Sequence, residues 1–154
     1  MIEIKSPHTY STKKPILFLA GSIEMGSAKP WQSQFTERLS HLDITVLNPR
    51  RDDWDSTWKQ SIDNSKFKQQ VEWELSGQEI SDIIFVYLQA ETKSPITLLE
   101  IGLFGGSNMI VYCEDGYWRK GNVDIVCHRY GICQVDSFET AVSEIEDRIT
   151  GIEK

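Results

Sequence analysis

Residues 15–22 read PILFLAGS, a continuous apolar run that is closed by two small residues. A run of this kind is typical of a strand that is buried on both faces and followed by a turn. Strands buried in this way belong to parallel sheets that carry helices on either side. The segment therefore predicts a central strand of a parallel α/β sheet.

Outward from this segment, apolar runs alternate with stretches of helical periodicity. Further strands are predicted at residues 44–47, 82–88, 108–113 and, more briefly, Asp124–Cys127. Helices are predicted over residues 31–42, 66–80, 95–104 and 137–149. This alternation implies right-handed crossovers and a doubly wound, Rossmann-like α/β fold, with five mainly parallel strands and helices on both faces. Ligands of such sheets bind at the carboxyl ends of the strands.

The composition indicates one globular domain over residues 1–154, in which residues 1–14 form a polar N-terminal extension. Hydrophobic residues make up 40% of the chain and charged residues 25%, as in ordinary folded proteins. The net charge of −7 weighs against a nucleic-acid partner, because such binding relies on Lys and Arg neutralising phosphates. A small nucleoside or nucleotide remains compatible with this charge.

The cysteines Cys113, Cys127 and Cys133 show no CxxC spacing and lie near no pair of histidines. Neither a disulfide framework nor a metal site is therefore expected. No apolar stretch has the length of a signal-peptide core or a membrane span. We expect a cytoplasmic protein with no membrane partner.

Glu100 is the one carboxylate of the predicted helix 95–104, whose other residues are apolar apart from Thr97, the prolyl start and a glycine. The helix is expected to be buried, and a buried unpaired carboxylate is costly in free energy. Glu100 is therefore a candidate catalytic group, with a buried ion pair or a bond to neighbouring backbone as the alternative. Glu74 on the preceding helix is a candidate partner, with an ordinary solvated helix face as the alternative.

Polar residues at the predicted ligand edge follow the first two strands. Gly21 and Ser22 close the first strand, and their backbone N–H groups can approach a ribose or a phosphate. The turn is neither GxGxxG nor a P-loop, so no nucleotide cofactor is expected. The long loop at residues 48–64 suits a sugar and a base, with a solvated loop of internal salt bridges as the alternative. Its candidate residues are Arg50, Asp52, Asp53, Trp54 and Trp58.

Five ordered motifs extend from Ile16 to Ile132. They are FLAGSIEMG, NPRRDDWDSTW, QVEWEL, SPITLLEIG and WRKGNVDIVCHRYGI. Together they closely resemble the nucleoside 2-deoxyribosyltransferase-like family. The resemblance implies a flavodoxin-like fold and a glutamate, matching Glu100, that attacks the anomeric carbon of the sugar and holds a glycosyl-enzyme intermediate.

Further roles follow from the same resemblance. It implies that Glu74 serves the leaving base, and that Asn122 is contributed to the active site of a neighbouring subunit. Asp124 is expected close to Asn122. A homo-oligomer with shared active sites is therefore expected.

Two positions depart from the transferases of that family. Leu17 replaces a tyrosine that hydrogen-bonds the nucleophile, so another donor, such as Arg50 or Tyr87, is needed to orient Glu100. Ser94 stands where the transferases carry an aspartate and related deoxynucleoside monophosphate hydrolases carry a serine. Serine does not repel a 5′-phosphate, and at a helix start it favours anion binding.

The first hypothesis is cleavage of a nucleoside N-glycosidic bond by Glu100, with transfer of the sugar to another base. Glu74 or Asp52 would serve the leaving base, and Trp54 or Trp58 would stack on it. The first alternative is a hydrolase of a deoxynucleoside monophosphate or an NAD-like dinucleotide. The second alternative is a non-catalytic module that binds a nucleotide-derived signal.

Overall fold

A computed structural model describes residues 1–10, 15–23, 28–106 and 108–152. Strands and helices alternate along nearly the whole chain. The strands are β1 (Ile2–Lys5), β2 (Ile16–Gly21), β3 (Thr45–Asn48), β4 (Ile83–Leu88), β5 (Met109–Cys113) and β6 (Cys133–Val135). The helices are α1 (Trp31–Arg38), α2 (Ser65–Ile80), α3 (Pro95–Phe104), α4 (Lys120–Tyr130) and α5 (Phe138–Ile152).

The six strands form one sheet in the order β1-β3-β2-β4-β5-β6, and every pairing is parallel. Apart from the edge strand β1, this is the flavodoxin-like order of a doubly wound sheet. The predicted fold class is confirmed, with six strands rather than five. Chain order reverses between β2 and β4, and ligands of doubly wound sheets bind at the carboxyl ends of such a pair.

Both faces of the sheet are covered by helices. One apolar cluster joins Phe18 of β2 to Trp73 of α2, Ile101 of α3 and Val123 of α4. The opposite cluster contains residues of α1 and α5 together with Leu17. Successive residues of a strand point to opposite faces, so Phe18 and Leu17 divide between the two layers. None of the helices in the described ranges is long and apolar enough to cross a membrane.

One strand assignment was wrong, and the N-terminal residues contain a strand that the sequence patterns did not indicate. Asp124–Cys127, predicted as the fifth strand, lies inside α4, and the last strand is Cys133–Val135. The run was too short to separate strand from helix, since Val123 and Cys127 repeat at the spacing of a buried helix face. The expected polar extension contains β1 at Ile2–Lys5, and its residues 11–14 lie outside the described ranges.

Gly21 ends β2 at a close approach to β4. Its φ of 138° lies in a region that favours glycine, and a Cβ there would stand 2.2 Å from the carbonyl oxygen of Tyr87. The next residue continues the contact, because the Ser22 amide donates to that same oxygen at 2.9 Å. This glycine therefore lets the chain turn directly at the β2–β4 switch point.

Candidate active site

Three hydroxyl groups meet at the carboxyl ends of β2 and β4. Ser22 Oγ lies 2.6 Å from Thr92 Oγ1 and 2.8 Å from Ser94 Oγ, and those two oxygens are 2.9 Å apart. Thr92 also donates to the Gln89 carbonyl at 2.9 Å, and the Gln89 amide donates to Ser22 Oγ at 3.0 Å. All three hydroxyl residues are buried. The cluster ties the loop after β4 to the turn after β2.

Ser94 occupies the N-cap position of α3, as its sequence suggested, and Pro95 is the first helical residue. Its side chain makes no capping hydrogen bond, however, and its hydroxyl belongs to the cluster with Ser22 and Thr92. Ser94 adopts a left-handed backbone conformation with φ of 43°, which is uncommon for a residue other than glycine. Such backbone strain, about 1–3 kcal/mol, tends to occur at functional sites.

Glu100 lies in the second turn of α3 and is only 8% exposed. Its Oε1 accepts a 2.7 Å hydrogen bond from Nε2 of Gln78, a residue near the end of α2 that is itself 1% exposed. Burial raises the pKa of Glu100 to about 7, although the bond from Gln78 favours the ionised form. The carboxyl group is therefore close to half ionised at neutral pH.

Glu74 lies on α2 one turn before Gln78 and is partly buried. Its Oε1 accepts a 2.6 Å hydrogen bond from Nε2 of Gln70. Burial, and secondly the negative charge of Glu100, raise the pKa of Glu74 to about 8. Two carboxyl groups on neighbouring helices thus have raised pKa values, and the charge of Glu100 favours the protonated form of Glu74, which is an arrangement that suits an acid beside a nucleophile.

Gln70 links this second carboxyl group to the rest of the sheet edge. Its Nε2 also donates to the Pro49 carbonyl at 2.8 Å, and its Oε1 accepts from the Ser6 hydroxyl at 2.6 Å. Pro49 follows β3 and Ser6 follows β1. Glu74 is therefore held in place by contacts that reach two further strands.

Neither donor suggested for Glu100 is the one observed. The Tyr87 hydroxyl donates to Glu114, and Arg50 Nη2 donates to the Ala28 carbonyl at 3.0 Å. Leu17 packs in the cluster of α1 and α5, whereas Ile101 of α3 packs in the other cluster. A hydroxyl group at position 17 would therefore point away from α3, and Gln78 is the residue that holds the carboxylate.

The loop after β3 contains an aromatic and cationic group. Arg51 donates to Asp53 from Nε at 2.7 Å and from Nη2 at 3.1 Å, which lowers the pKa of Asp53. The Arg51 guanidinium stacks 5.0 Å from the ring of Trp58, and the rings of Trp58 and Trp54 are 5.2 Å apart. Arg51 Nη1 and Trp54 Nε1 are buried and have no hydrogen-bond partner among the described residues.

Asp52 lies apart from these buried groups. Its side chain is 81% exposed and forms an ion pair with Lys5 of β1 at 2.8 Å. An exposed pair of this kind contributes about 0–1 kcal/mol to stability. Of the two residues suggested to serve the leaving base, Glu74 is the one whose charge is coupled to that of Glu100.

Asn122 and Asp124 lie on α4 but line different grooves. Asn122 borders a groove of about 350 Å³ between α3 and α4. Asp124 borders a groove of about 790 Å³ near β6, and it accepts from Gln134 at 2.9 Å and from Lys120 at 3.3 Å. Asp124 is close to Asn122 along the helix, but the two side chains do not share a groove, because residues two apart on a helix point about 200° apart.

Sequence reasoning missed the two glutamines that hold the carboxyl groups. Gln70, Glu74 and Gln78 follow one another at intervals of four residues. That spacing places all three on one face of a helix. The sequence therefore offered one signal for these glutamines, namely a carboxyl group flanked by two amide groups along one face of the helix. Thr92 carried no comparable signal.

The fold and this site together define a class. The protein is a doubly wound α/β protein with a buried hydroxyl cluster at its topological switch point and two carboxyl groups of raised pKa on the adjoining helices α2 and α3. No group of three or more His, Cys, Asp or Glu side chains within the described ranges is placed to hold a metal ion.

The sequence profile described as nucleoside 2-deoxyribosyltransferase like matches residues 14–117. The chain belongs to that family, whose description suggests an enzyme of glycosyl transfer or a related reaction and a nucleoside as its small-molecule partner. No match is found among curated proteins.

Proposed function

We propose that the protein cleaves the N-glycosidic bond of a deoxynucleoside through a covalent intermediate on Glu100 and transfers the sugar to another base. The observation that carries this proposal is the pair Glu100 and Glu74 on neighbouring helices, in which burial raises both pKa values and Gln78 donates a 2.7 Å hydrogen bond to Glu100. The bond from Gln78 favours the ionised form of Glu100, whereas burial and the charge of Glu100 favour the protonated form of Glu74. One carboxyl group is thus prepared as an acid and the other as a nucleophile.

The reaction proceeds in two displacements. In the first, a Glu100 oxygen bonds to C1′ of the sugar, and the C1′–N bond breaks with its electron pair passing to the base nitrogen. That nitrogen takes the proton of Glu74. In the second, a nitrogen of the acceptor base bonds to C1′, Glu100 leaves as a carboxylate, and the proton of the acceptor returns to Glu74. Two displacements at C1′ retain its configuration.

The hydroxyl cluster favours a nucleoside over a nucleotide. Ser22, Thr92 and Ser94 supply three protons, whereas their three mutual contacts and the bond to the Gln89 carbonyl make four contacts, so every proton is already engaged within the cluster. A phosphate offers only acceptor oxygens near neutral pH, so binding it here would break one of these bonds. A sugar hydroxyl can donate to the cluster, with Gly21 and Ser22 beside it.

The loop after β3 is suited to the base. The buried donors Arg51 Nη1 and Trp54 Nε1 match the ring nitrogens and carbonyl oxygens of a nucleobase. Trp58, already stacked on Arg51, offers a flat apolar surface beside them. Arg50 and Asp53 complete the polar surroundings of this loop.

The activity is tested by incubating the protein with deoxynucleosides, deoxynucleoside monophosphates and NAD, each with and without a free acceptor base, and separating the products by chromatography. Base exchange with deoxynucleosides that is lost in Glu100→Gln supports the proposal. Acceptor-independent release of free sugar, above all from the monophosphates, would instead identify a hydrolase. Binding without turnover of any substrate would identify a sensor, and wild-type turnover by Glu100→Gln would refute the role of Glu100.

A homo-oligomer formed through α3 and α4 is part of this proposal. The outer face of α3 exposes Leu99 and Leu103 by 66% and 62%, and Trp118 just before α4 and Ile125 on α4 are also exposed. Apolar surface of this extent is costly to leave in water, and a second copy of the chain would cover it. Asn122, at the rim of the adjoining groove, would then lie near the partner, as the family resemblance implies.

Light scattering on a sizing column tests the oligomer. Leu99→Lys together with Leu103→Lys should convert it to a monomer, because both charges would be buried in the contact. The control is Ile62→Lys, since Ile62 is 76% exposed outside these helices. A wild-type monomer, or the same dissociation in the control, would contradict the proposed interface.

A further inference from the structure

Gln78 differs from the other site glutamine in how its amide is used. Both amide atoms of Gln70 are bonded, Oε1 to Ser6 and Nε2 to Pro49 and Glu74. In Gln78, Nε2 donates to Glu100, whereas Oε1 is buried and accepts no hydrogen bond among the described residues. A buried acceptor without a partner destabilises the folded protein, so this amide contributes little to stability as a whole.

The orientation of that amide follows from its contact with Glu100. A flipped amide would turn its oxygen towards the carboxylate and leave a buried N–H group without a partner. With Glu100 ionised, the 2.7 Å contact therefore requires Nε2 to face Glu100 Oε1. Within the described residues, this is the side-chain hydrogen bond that the carboxyl group receives, and it engages Oε1 rather than Oε2.

We propose that Gln78 is a positioning residue that selects Oε2 of Glu100 as the attacking oxygen and holds the carboxylate in its ionised form. The inference rests on the proposed function for its effect on turnover, but the contact itself does not depend on any activity. Gln78 takes the place of the hydroxyl donor that position 17 lacks, and it approaches from α2 rather than from the sheet.

Two neighbouring side chains bear on the ionisation of Glu100 in this arrangement. Glu74 on α2 is the titratable neighbour, and the charge of Glu100 helps to raise its pKa. Gln78 is the neutral donor that favours ionisation. Removing the donor while leaving Glu74 in place should therefore shift the balance towards the protonated, unreactive carboxyl group.

Gln78→Met tests the role, because methionine has nearly the same length and packs in a buried site without donating. The ionisation of Glu100 is followed by carboxyl carbon NMR, with the signal assigned by its loss in Glu100→Gln. The midpoint of the Glu100 titration should rise by about one to two pH units in Gln78→Met. This is the size of change expected when a hydrogen bond to a charged group is lost. Gln69→Met, on the exposed side of α2, is the control and should leave the midpoint unchanged.

Turnover gives the second measurement. In Gln78→Met, kcat should fall about tenfold at pH 7 with KM little changed, and raising the pH should recover part of the loss. An unchanged midpoint in a folded Gln78→Met protein would refute the positioning role even if the enzyme is active. A raised midpoint in a protein with no turnover of any nucleoside would uphold the contact and refute the proposed function instead.

Discussion

Replacing Glu100 by glutamine should make the protein more stable at alkaline pH while abolishing its activity. The carboxyl group has an ordinary pKa near 4.5 in the unfolded chain and a pKa of about 7 in the folded protein. Between these values the unfolded chain gives up its proton and the folded protein retains it, so stability falls as the pH rises. Above the folded pKa the full cost of burying the charge is present.

The size of that cost follows from the two pKa values. A difference of about 2.5 pH units, at about 1.36 kcal/mol per unit, corresponds to about 3 kcal/mol. Glutamine has the same shape, stays neutral and can still accept the hydrogen bond from Gln78 through its carbonyl oxygen. The free energy of unfolding of Glu100→Gln minus that of the wild type should therefore be about 2–3 kcal/mol larger at pH 8.5 than at pH 5.

Urea denaturation at the two pH values measures this difference, with the m-value checked for a constant change in exposed surface. Glu72→Gln is the matched control, since Glu72 is exposed on the same helix as Glu74. Its substitution should leave the pH dependence as in the wild type. A Glu100→Gln protein that is less stable at pH 8.5, or whose difference from the wild type does not change with pH, would show that the buried charge carries no such cost.

Three further substitutions probe the acid and the packing of the sheet. Glu74→Gln should lower kcat by about 10²–10⁴-fold and remove the loss of rate near pH 8, because the acid that protonates the base is gone. Gly21→Ala should destabilise the protein by at least about 2 kcal/mol in urea denaturation, since a Cβ would stand 2.2 Å from the Tyr87 oxygen. Gly77→Ala should cost about 1–2 kcal/mol in spite of better helix propensity, because its Cβ would lie 2.9 Å from the Phe18 ring, and thermal melting should show the loss.

The central part of the fold was predictable from the sequence, and its edges were not. The runs at β2, β4 and β5 are long and apolar because both faces of those strands are covered. Edge strands lack this signature. In Ile2–Lys5 two apolar residues alternate with charged ones, and Cys133–Val135 has three residues with a glutamine at its centre.

Within the candidate site, Glu100 was recognisable because a carboxylate in an apolar helix contradicts its surroundings. Gln78 was not recognisable from the sequence, since a glutamine is an ordinary residue among the polar residues of a helix. Its importance arises from the crossing of α2 and α3, which brings two residues 22 positions apart into contact. The division of Asn122 and Asp124 between two grooves was not predictable either, because it follows from a helix, α4, that the sequence patterns did not indicate.

The contact between Ser6 and Gln70 bears on how this protein can be shortened. Residues 1–14 resemble a dispensable polar leader, and trimming them would be a natural way to obtain a minimal domain for crystallisation. The cut would remove β1, uncover the edge of β3 and take away the hydroxyl group that fixes the amide beside Glu74. A truncated protein could therefore remain folded yet titrate and turn over abnormally, whereas an affinity tag placed after the last helix would leave this chain of contacts intact.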